Sequence, residues 1–173
     1  MNVDPLKKAI RDIPDFPKKG IIFKDITPVL SDPILFKMAV DLFADRQKKA
    51  AIDKVAVIES RGFLFGAAVA YKLGLGIVPI RKKGKLPYKT VEATYDLEYG
   101  SATLQMHVDA VKKGERVLLI DDLLATGGTA AASAKMIEDL GAQVVEIDFL
   151  IELAFLKGRD KLTRYSVFAP VVF

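Results

Sequence analysis

Two carboxylates, Asp121 and Asp122, follow the apolar run Val117, Leu118, Leu119, Ile120 and precede Thr126, Gly127, Gly128 and Thr129. The apolar run reads as a buried strand and the Ala-rich segment after Gly128 as a helix, so the glycines fall at a helix N-terminus. There, glycine lets backbone N–H groups approach an anion closely, the threonine hydroxyls donate to its oxygens, and the helix dipole favours negative charge. A carboxylate makes the opposite demand: it accepts, and the hydroxyls of a ribose satisfy it directly or through a bound cation. The spacing points to a phosphorylated sugar, with a monophosphate in the cradle 125–129 and the ribose on Asp121 and Asp122. Thr-Gly-Gly-Thr alone would fit a plain strand-to-helix turn; the acids and the strand before it turn the reading toward a ligand. Neither G-x-x-x-x-G-K-[ST] nor a G-x-G-x-x-G after a strand occurs.

A second group of residues suits a more highly charged anion. Arg81, Lys82, Lys83, Lys85 and Lys89 place five cations in nine residues, next to Gly84 and Pro87. Alone, such a run fits a solvated loop or a contact to RNA. Beside a phosphate cradle it reads as a lid that binds diphosphate and excludes water. Glu59-Ser60-Arg61-Gly62 lies where another buried strand meets a helix, so its N–H groups are also placed for anionic oxygens. Whole-chain counts exclude other chemistries. Zero cysteines among 173 residues rule out a disulfide scaffold, a thiolate metal site and a thiol nucleophile, and one histidine, His107, leaves no room for a His-rich metal centre. His107 reads as a structural residue. A net charge of +4 does not by itself argue for nucleic acid.

The elements that must hold these groups alternate between helix and strand. Helices are expected over 6–13, 33–49, 62–73 and 129–140, with Asp32 as an N-cap and Leu35, Met38, Leu42 and Phe43 on one face of the second. Buried strands are expected over 54–59, 76–81, 116–120 and 143–151. Residues 82–89 read as a mobile loop, and 90–96 with 101–106 as a hairpin turning at Gly100. The sum is one α/β domain with an open, mostly parallel sheet flanked by helices on both faces, its ligands beyond the carboxyl ends of the strands. The N-terminus carries no signal-type apolar region, and the stretch 62–75 is too short and too interrupted by Lys72 to cross a bilayer, so a cytoplasmic protein with no membrane contact is expected.

The segment 117–129 resembles the phosphoribosyl-diphosphate signature of type I phosphoribosyltransferases. Asp15-Phe16-Pro17, Phe23-Lys24-Asp25-Ile26-Thr27-Pro28, Glu59-Ser60-Arg61-Gly62-Phe63, Arg81-Lys82-Lys83-Gly84-Lys85-Leu86-Pro87 and Leu97-Glu98-Tyr99-Gly100 are similar, in order, to the pattern of the adenine phosphoribosyltransferases, up to Lys157-Gly158-Arg159. The basic loop departs from that pattern at Lys83, where the family usually has proline.

This resemblance implies the type I fold with an N-terminal hood over 1–32 and a flexible loop over 82–106. It implies transfer of the phosphoribosyl group from phosphoribosyl diphosphate to adenine, giving AMP and diphosphate, by a homodimer that uses Mg2+ held mainly through the substrate. Glu98 and Arg61 would act at the reacting centre. Asp121, Asp122, Ala125, Thr126, Gly127, Gly128 and Thr129 would hold ribose and 5-phosphate, and Ser60, Arg61, Arg81, Lys82 and Lys85 the diphosphate. Ile22, Phe23, Lys24 and Leu153 would hold the base. Ala125 stands where enzymes for 6-oxopurines typically have an acid, which favours adenine. A xanthine-type enzyme, or a phosphoribosyl-diphosphate sensor that binds nucleic acid, is the alternative; no segment of domain length is left over for the latter.

Overall fold

The computed structural model describes residues 2–96 and 101–173. Its first helix, α1 (Asp4–Ala9), is shorter than the expected 6–13. Pro14 disfavours helical backbone at Ile13, and residues 11–14 find partners elsewhere. They form β1 (Arg11–Pro14), which pairs antiparallel with β2 (Ile22–Asp25) as a separate two-stranded sheet. α2 (Thr27–Ser31), not expected from the sequence, precedes α3 (Pro33–Gln47). Asp32 caps α3 as expected, its Oδ1 accepting from the N–H groups of Ile34 at 2.8 Å and Leu35 at 3.0 Å, with Pro33 in the first turn where no N–H is needed.

The chain continues as β3 (Lys54–Ile58), α4 (Arg61–Leu73), β4 (Gly76–Lys82), β5 (Thr90–Asp96), β6 (Ser101–His107), β7 (Arg116–Leu124), α5 (Gly128–Asp139) and β8 (Gln143–Glu152). Two short 3₁₀ turns, Ala154–Leu156 and Gly158–Lys161, lead to β9 (Val167–Phe168) and β10 (Val171–Val172). The main sheet has the order β10-β8-β7-β3-β4-β6-β5, with β9 also on β8. Only the pairings that involve β6 are antiparallel. The strands of the expected hairpin are present, from Thr90 opposite His107 to Asp96 opposite Ser101; Gly100 and the rest of 97–100 lie outside the described residues.

Alternation along the central strands builds an apolar layer on each face. Val55, Val57, Leu118 and Ile120 pack with Phe43 and Phe65 of α3 and α4, while Ala56, Ile58, Val117 and Leu119 pack with Met136 and Ile137 of α5. With helices on both faces, β3 and β7 are apolar through 55–58 and 117–120 and present polar groups only outside those runs. That is where the sheet meets the chemistry.

Candidate active site

The strand carrying the acidic pair runs further than its apolar residues suggest. β7 extends to Leu124, so Asp121 and Asp122 lie within it rather than after it. The extra pairing comes from β8, where Phe149, Ile151 and Glu152 lie opposite Asp121, Leu123 and Leu124. Asp122 is 4% exposed and its Oδ2 lies 2.9 Å from Arg61 Nε, an ion pair rather than an aligned hydrogen bond. Asp121 Oδ1 accepts the Asp122 N–H at 2.9 Å. Burial, reinforced by Asp122, holds the Asp121 carboxyl well above the ordinary range; burial also raises Asp122, against the pull of Arg61. Gly62 makes this approach of α4 to β7 possible, since a Cβ there would stand 2.9 Å from Asp121 Oδ1 and 3.0 Å from the Ile120 carbonyl oxygen.

After β7 the chain turns through Ala125, Thr126 and Gly127 into α5. Gly127 adopts φ 78°, a left-handed conformation, and caps the helix. A side chain there would also collide with the Gly158 carbonyl oxygen, 2.3 Å from the Cβ position, and one at Gly158 would lie 2.2 Å from the Ala125 carbonyl oxygen. The phosphate-type loop is thus pressed against the 3₁₀ turn after β8. Ala125, Thr126, Gly127 and Thr129 line a small cavity of about 60 Å³ with Asp121 and Leu123. Gly128 is buried as the first residue of α5.

A larger cleft of about 360 Å³ opens beside it, and Asp121, Leu123 and Thr129 line both. Its other walls are Glu59, Ser60, Arg61, Lys82, Tyr95 and Asp122. Tyr95 was not expected here; its hydroxyl accepts from Thr129 Oγ1 at 3.0 Å, joining β5 to the cradle. Nothing local in the sequence marks it, because the contact spans 34 residues. Glu59 is likewise a holder of cations: its Oε2 accepts from Arg81 Nε at 3.0 Å and from the Lys82 N–H at 3.1 Å. Arg81 also donates to the Lys85 carbonyl at 3.1 Å, and Lys83 pairs with Glu92 at 2.9 Å. Of the basic run, Lys82 lines the cleft, while Arg81 and Lys83 are turned to carboxylates. Glu98, expected at the reacting centre, lies outside the described residues.

The expected base-binding residues fall on two sides of β2, as strand alternation requires. Phe23 lies beside Arg61, which lines the cleft: the Arg61 guanidinium stands 5.0 Å from its ring centre, and Phe16 meets it edge-on at 5.2 Å. Ile22 and Lys24 face an apolar pocket of about 530 Å³ together with Leu153, Phe155 and Phe173. Lys24 is spread over the Phe173 ring, 3.9 Å from its centre, and pairs with Asp12 at 2.6 Å. Among the described residues β2 has one neighbour, β1, so its other edge keeps backbone groups to offer.

This geometry has counterparts. Residues 29–169 match the phosphoribosyl transferase domain. The chain is 57% identical over 171 residues to the adenine phosphoribosyltransferase of Geotalea daltonii, covering 99% of this chain and 100% of that one. The chain belongs to the adenine phosphoribosyltransferase family. Solved adenine phosphoribosyltransferases agree with its fold. The enzyme of Thermoanaerobacter pseudethanolicus superposes with a TM-score of 0.96 at 52% identity, covering 99% of this chain and 100% of that one. The Saccharomyces cerevisiae enzyme, complexed with D-2,5-dideoxy-2,5-imino-altritol 1,6-bisphosphate and adenine, superposes at 0.93 with 43% identity, covering 96% and 97%. The open, mostly parallel sheet expected from the sequence is the fold of this adenine phosphoribosyltransferase family.

Proposed function

We propose that the cleft transfers the 5-phosphoribosyl group from phosphoribosyl diphosphate to adenine, giving AMP and diphosphate in purine salvage. The observation that carries this reading is the continuity of the two cavities: Asp121, Leu123 and Thr129 line both the anion cradle at the N-terminus of α5 and the cleft walled by Ser60, Arg61 and Lys82. A ribose on Asp121 and Asp122 then has its 5-phosphate on Ala125, Thr126, Gly127, Gly128 and Thr129 and its diphosphate toward Ser60, Arg61 and Lys82, with Arg81 and Lys85 behind. In the reaction the bond from the anomeric carbon to diphosphate oxygen breaks and a bond to adenine nitrogen forms, while that nitrogen loses its proton. Positive charge develops on the sugar ring and negative charge on the leaving group, so positioning and electrostatics carry most of the rate enhancement. Adenine stacks on Phe23, the open edge of β2 at Ile22 and Lys24 supplies backbone groups, and Leu153 closes the other side. Glu98 is assigned to the positive charge or the purine proton.

The donor set also fits magnesium. Asp121 and Asp122 are oxygen ligands beside the cleft, Asp122 Oδ2 has no aligned hydrogen-bond donor, and a hard cation takes oxygen. These residues would hold it together with ribose and diphosphate oxygens, and when bound it would neutralise charge on the leaving diphosphate. A homodimer is part of the same reading, supported by the exposed stripe of Leu64, Ala67 and Tyr71 on α4. So is a cytoplasmic location, since a donor this highly charged does not cross a bilayer unaided; among the described residues no helix is long and apolar enough to span one.

A purine panel with phosphoribosyl diphosphate and magnesium tests reaction and base together. AMP should form from adenine, with little product from hypoxanthine, guanine or xanthine. Absence of AMP would end the assignment.

A further inference from the structure

We propose that Gln105 is a positioning residue that holds the basic loop in register over the cleft. Gln105 sits on β6, opposite Arg81 of β4 on one side and Glu92 of β5 on the other. It is 7% exposed, and a buried amide must find partners for both its ends. Both partners belong to the loop or lead back to it. Its carbonyl oxygen accepts the Gly84 N–H at 2.8 Å, and its amide donates to Glu92 Oε1 at 2.7 Å. The other Glu92 oxygen accepts from Lys83 Nζ at 2.9 Å. Lys83 also donates its backbone N–H to the Thr103 carbonyl at 3.0 Å, a bond a proline at this position could not make.

Residues 83 and 84 are therefore tied to both strands of the hairpin just after the chain has passed Lys82. The tether answers a physical difficulty, because Arg81, Lys82, Lys83 and Lys85 repel one another and would spread apart in an untied loop. Glu59 restrains Arg81 and the Lys82 backbone from the cleft side. Gln105 and Glu92 restrain the next two residues from the sheet side and neutralise Lys83 away from the cleft. Lys83 and Glu92 are substantially exposed, at 64% and 38% of their side chains, so their ion pair alone is weak. The buried amide is the part of the network that holds geometry.

This inference rests on the reading that Lys82 faces the diphosphate, so the experiment separates the two. Gln105→Met, Glu92→Gln, Lys82→Ala and the double variant Gln105→Met with Lys82→Ala are made in the full chain, with steady-state AMP formation and Gly84 amide exchange measured for each. Gln105→Met should speed Gly84 exchange and raise KM for phosphoribosyl diphosphate about fivefold, the worth of one net hydrogen bond. KM for adenine should change less than twofold or so. Glu92→Gln, on the partly exposed partner, should do the same more weakly, and keeps the idea testable should Gln105→Met fold poorly. In the Lys82→Ala background the effect of Gln105→Met should shrink, because a residue acting through another loses its effect when that one is gone. Full additivity, or faster Gly84 exchange with unchanged KM, would make Gln105 merely structural and overturn the proposal. If Lys82→Ala itself leaves KM for phosphoribosyl diphosphate unchanged, the functional reading of the loop falls instead.

Discussion

Arg61 on α4 and Asp122 on β7 meet at 2.9 Å at the floor of the cleft, where the Asp122 side chain is only 5% exposed. One charge comes from the segment assigned to diphosphate and the other from the segment assigned to ribose, so the pair couples the two halves of the donor site. Asp122→Asn keeps the shape and removes the charge. It should raise KM for phosphoribosyl diphosphate roughly tenfold, since a charge-assisted hydrogen bond is worth about 1.5–3 kcal/mol. The melting temperature should move little. An unchanged KM would take Asp122 out of the binding site.

The same carboxylates set a pH dependence. Burial raises both Asp121 and Asp122, with the charge of Asp122 adding to the rise at Asp121. Only the ionised form is a pure acceptor for ribose hydroxyls, so affinity for phosphoribosyl diphosphate should rise with pH as the pair loses its proton. Kd measured by calorimetry across acid and neutral pH should show this rise, and Asp122→Asn should flatten it. A flat profile in the parent chain would mean that the pair does not bind ribose.

Gly127→Ala tests the cradle. Its Cβ would stand 2.3 Å from the Gly158 carbonyl oxygen, and φ is 78°. Left-handed backbone at a non-glycine residue costs about 1–2 kcal/mol before the clash is counted. The expected outcome is a lower melting temperature together with at least roughly tenfold weaker phosphoribosyl diphosphate binding. Gly158→Ala should produce the same pair of losses from the opposite side of the contact.

Asp148 gives a prediction about stability. It is fully buried, and Oδ1 has no hydrogen-bond partner. Gln47 of α3 donates to Oδ2 at 3.3 Å, while Arg46 and Ser166 are engaged with Glu146 on the same strand. Burial and the charge of Glu146 push Asp148 up to about 8. For Glu146, burial acts upward too, but the bonds from Arg46, Ser166 and Gln47 win and hold it low. A raised folded-state value means that the folded chain keeps a proton the unfolded chain has lost. Stability should therefore fall as pH rises from about 4 to about 8, at up to about 1.4 kcal/mol per pH unit. Asp148→Asn should remove this slope from urea melts taken at several pH values.

Glu98 carries an expectation from the sequence. Glu98→Gln should lower kcat by about tenfold or more with a smaller effect on either KM, the pattern of a group that acts in the transition state. Equal kinetics would remove Glu98 from the reacting centre.

Among these elements, the ones legible in advance were those whose information is local. The run 117–129 announces strand, acidic pair, glycine turn and helix in order, and the near-continuous apolar runs in 54–59 and 116–120 mark strands buried on both faces. Asp32 signals its helix because a cap acts over three residues. Each of these depends on neighbours a few positions apart, so the linear order of side chains decided them. Tertiary structure decided what depends on partners far along the chain. Residues 11–14 became a strand because 22–25 lie beside them, and β7 runs on past its two acids because β8 pairs with Asp121, Leu123 and Leu124. The close approach of Gly127 to Gly158, the bond from Thr129 to Tyr95, and the tie of Gly84 to Gln105 exist only once the sheet order brings those segments together. Residue type supplied the chemistry of the site; which cation is left to the cleft and which is paired with a carboxylate followed from packing, because a long cationic side chain goes to the nearest carboxylate the fold supplies.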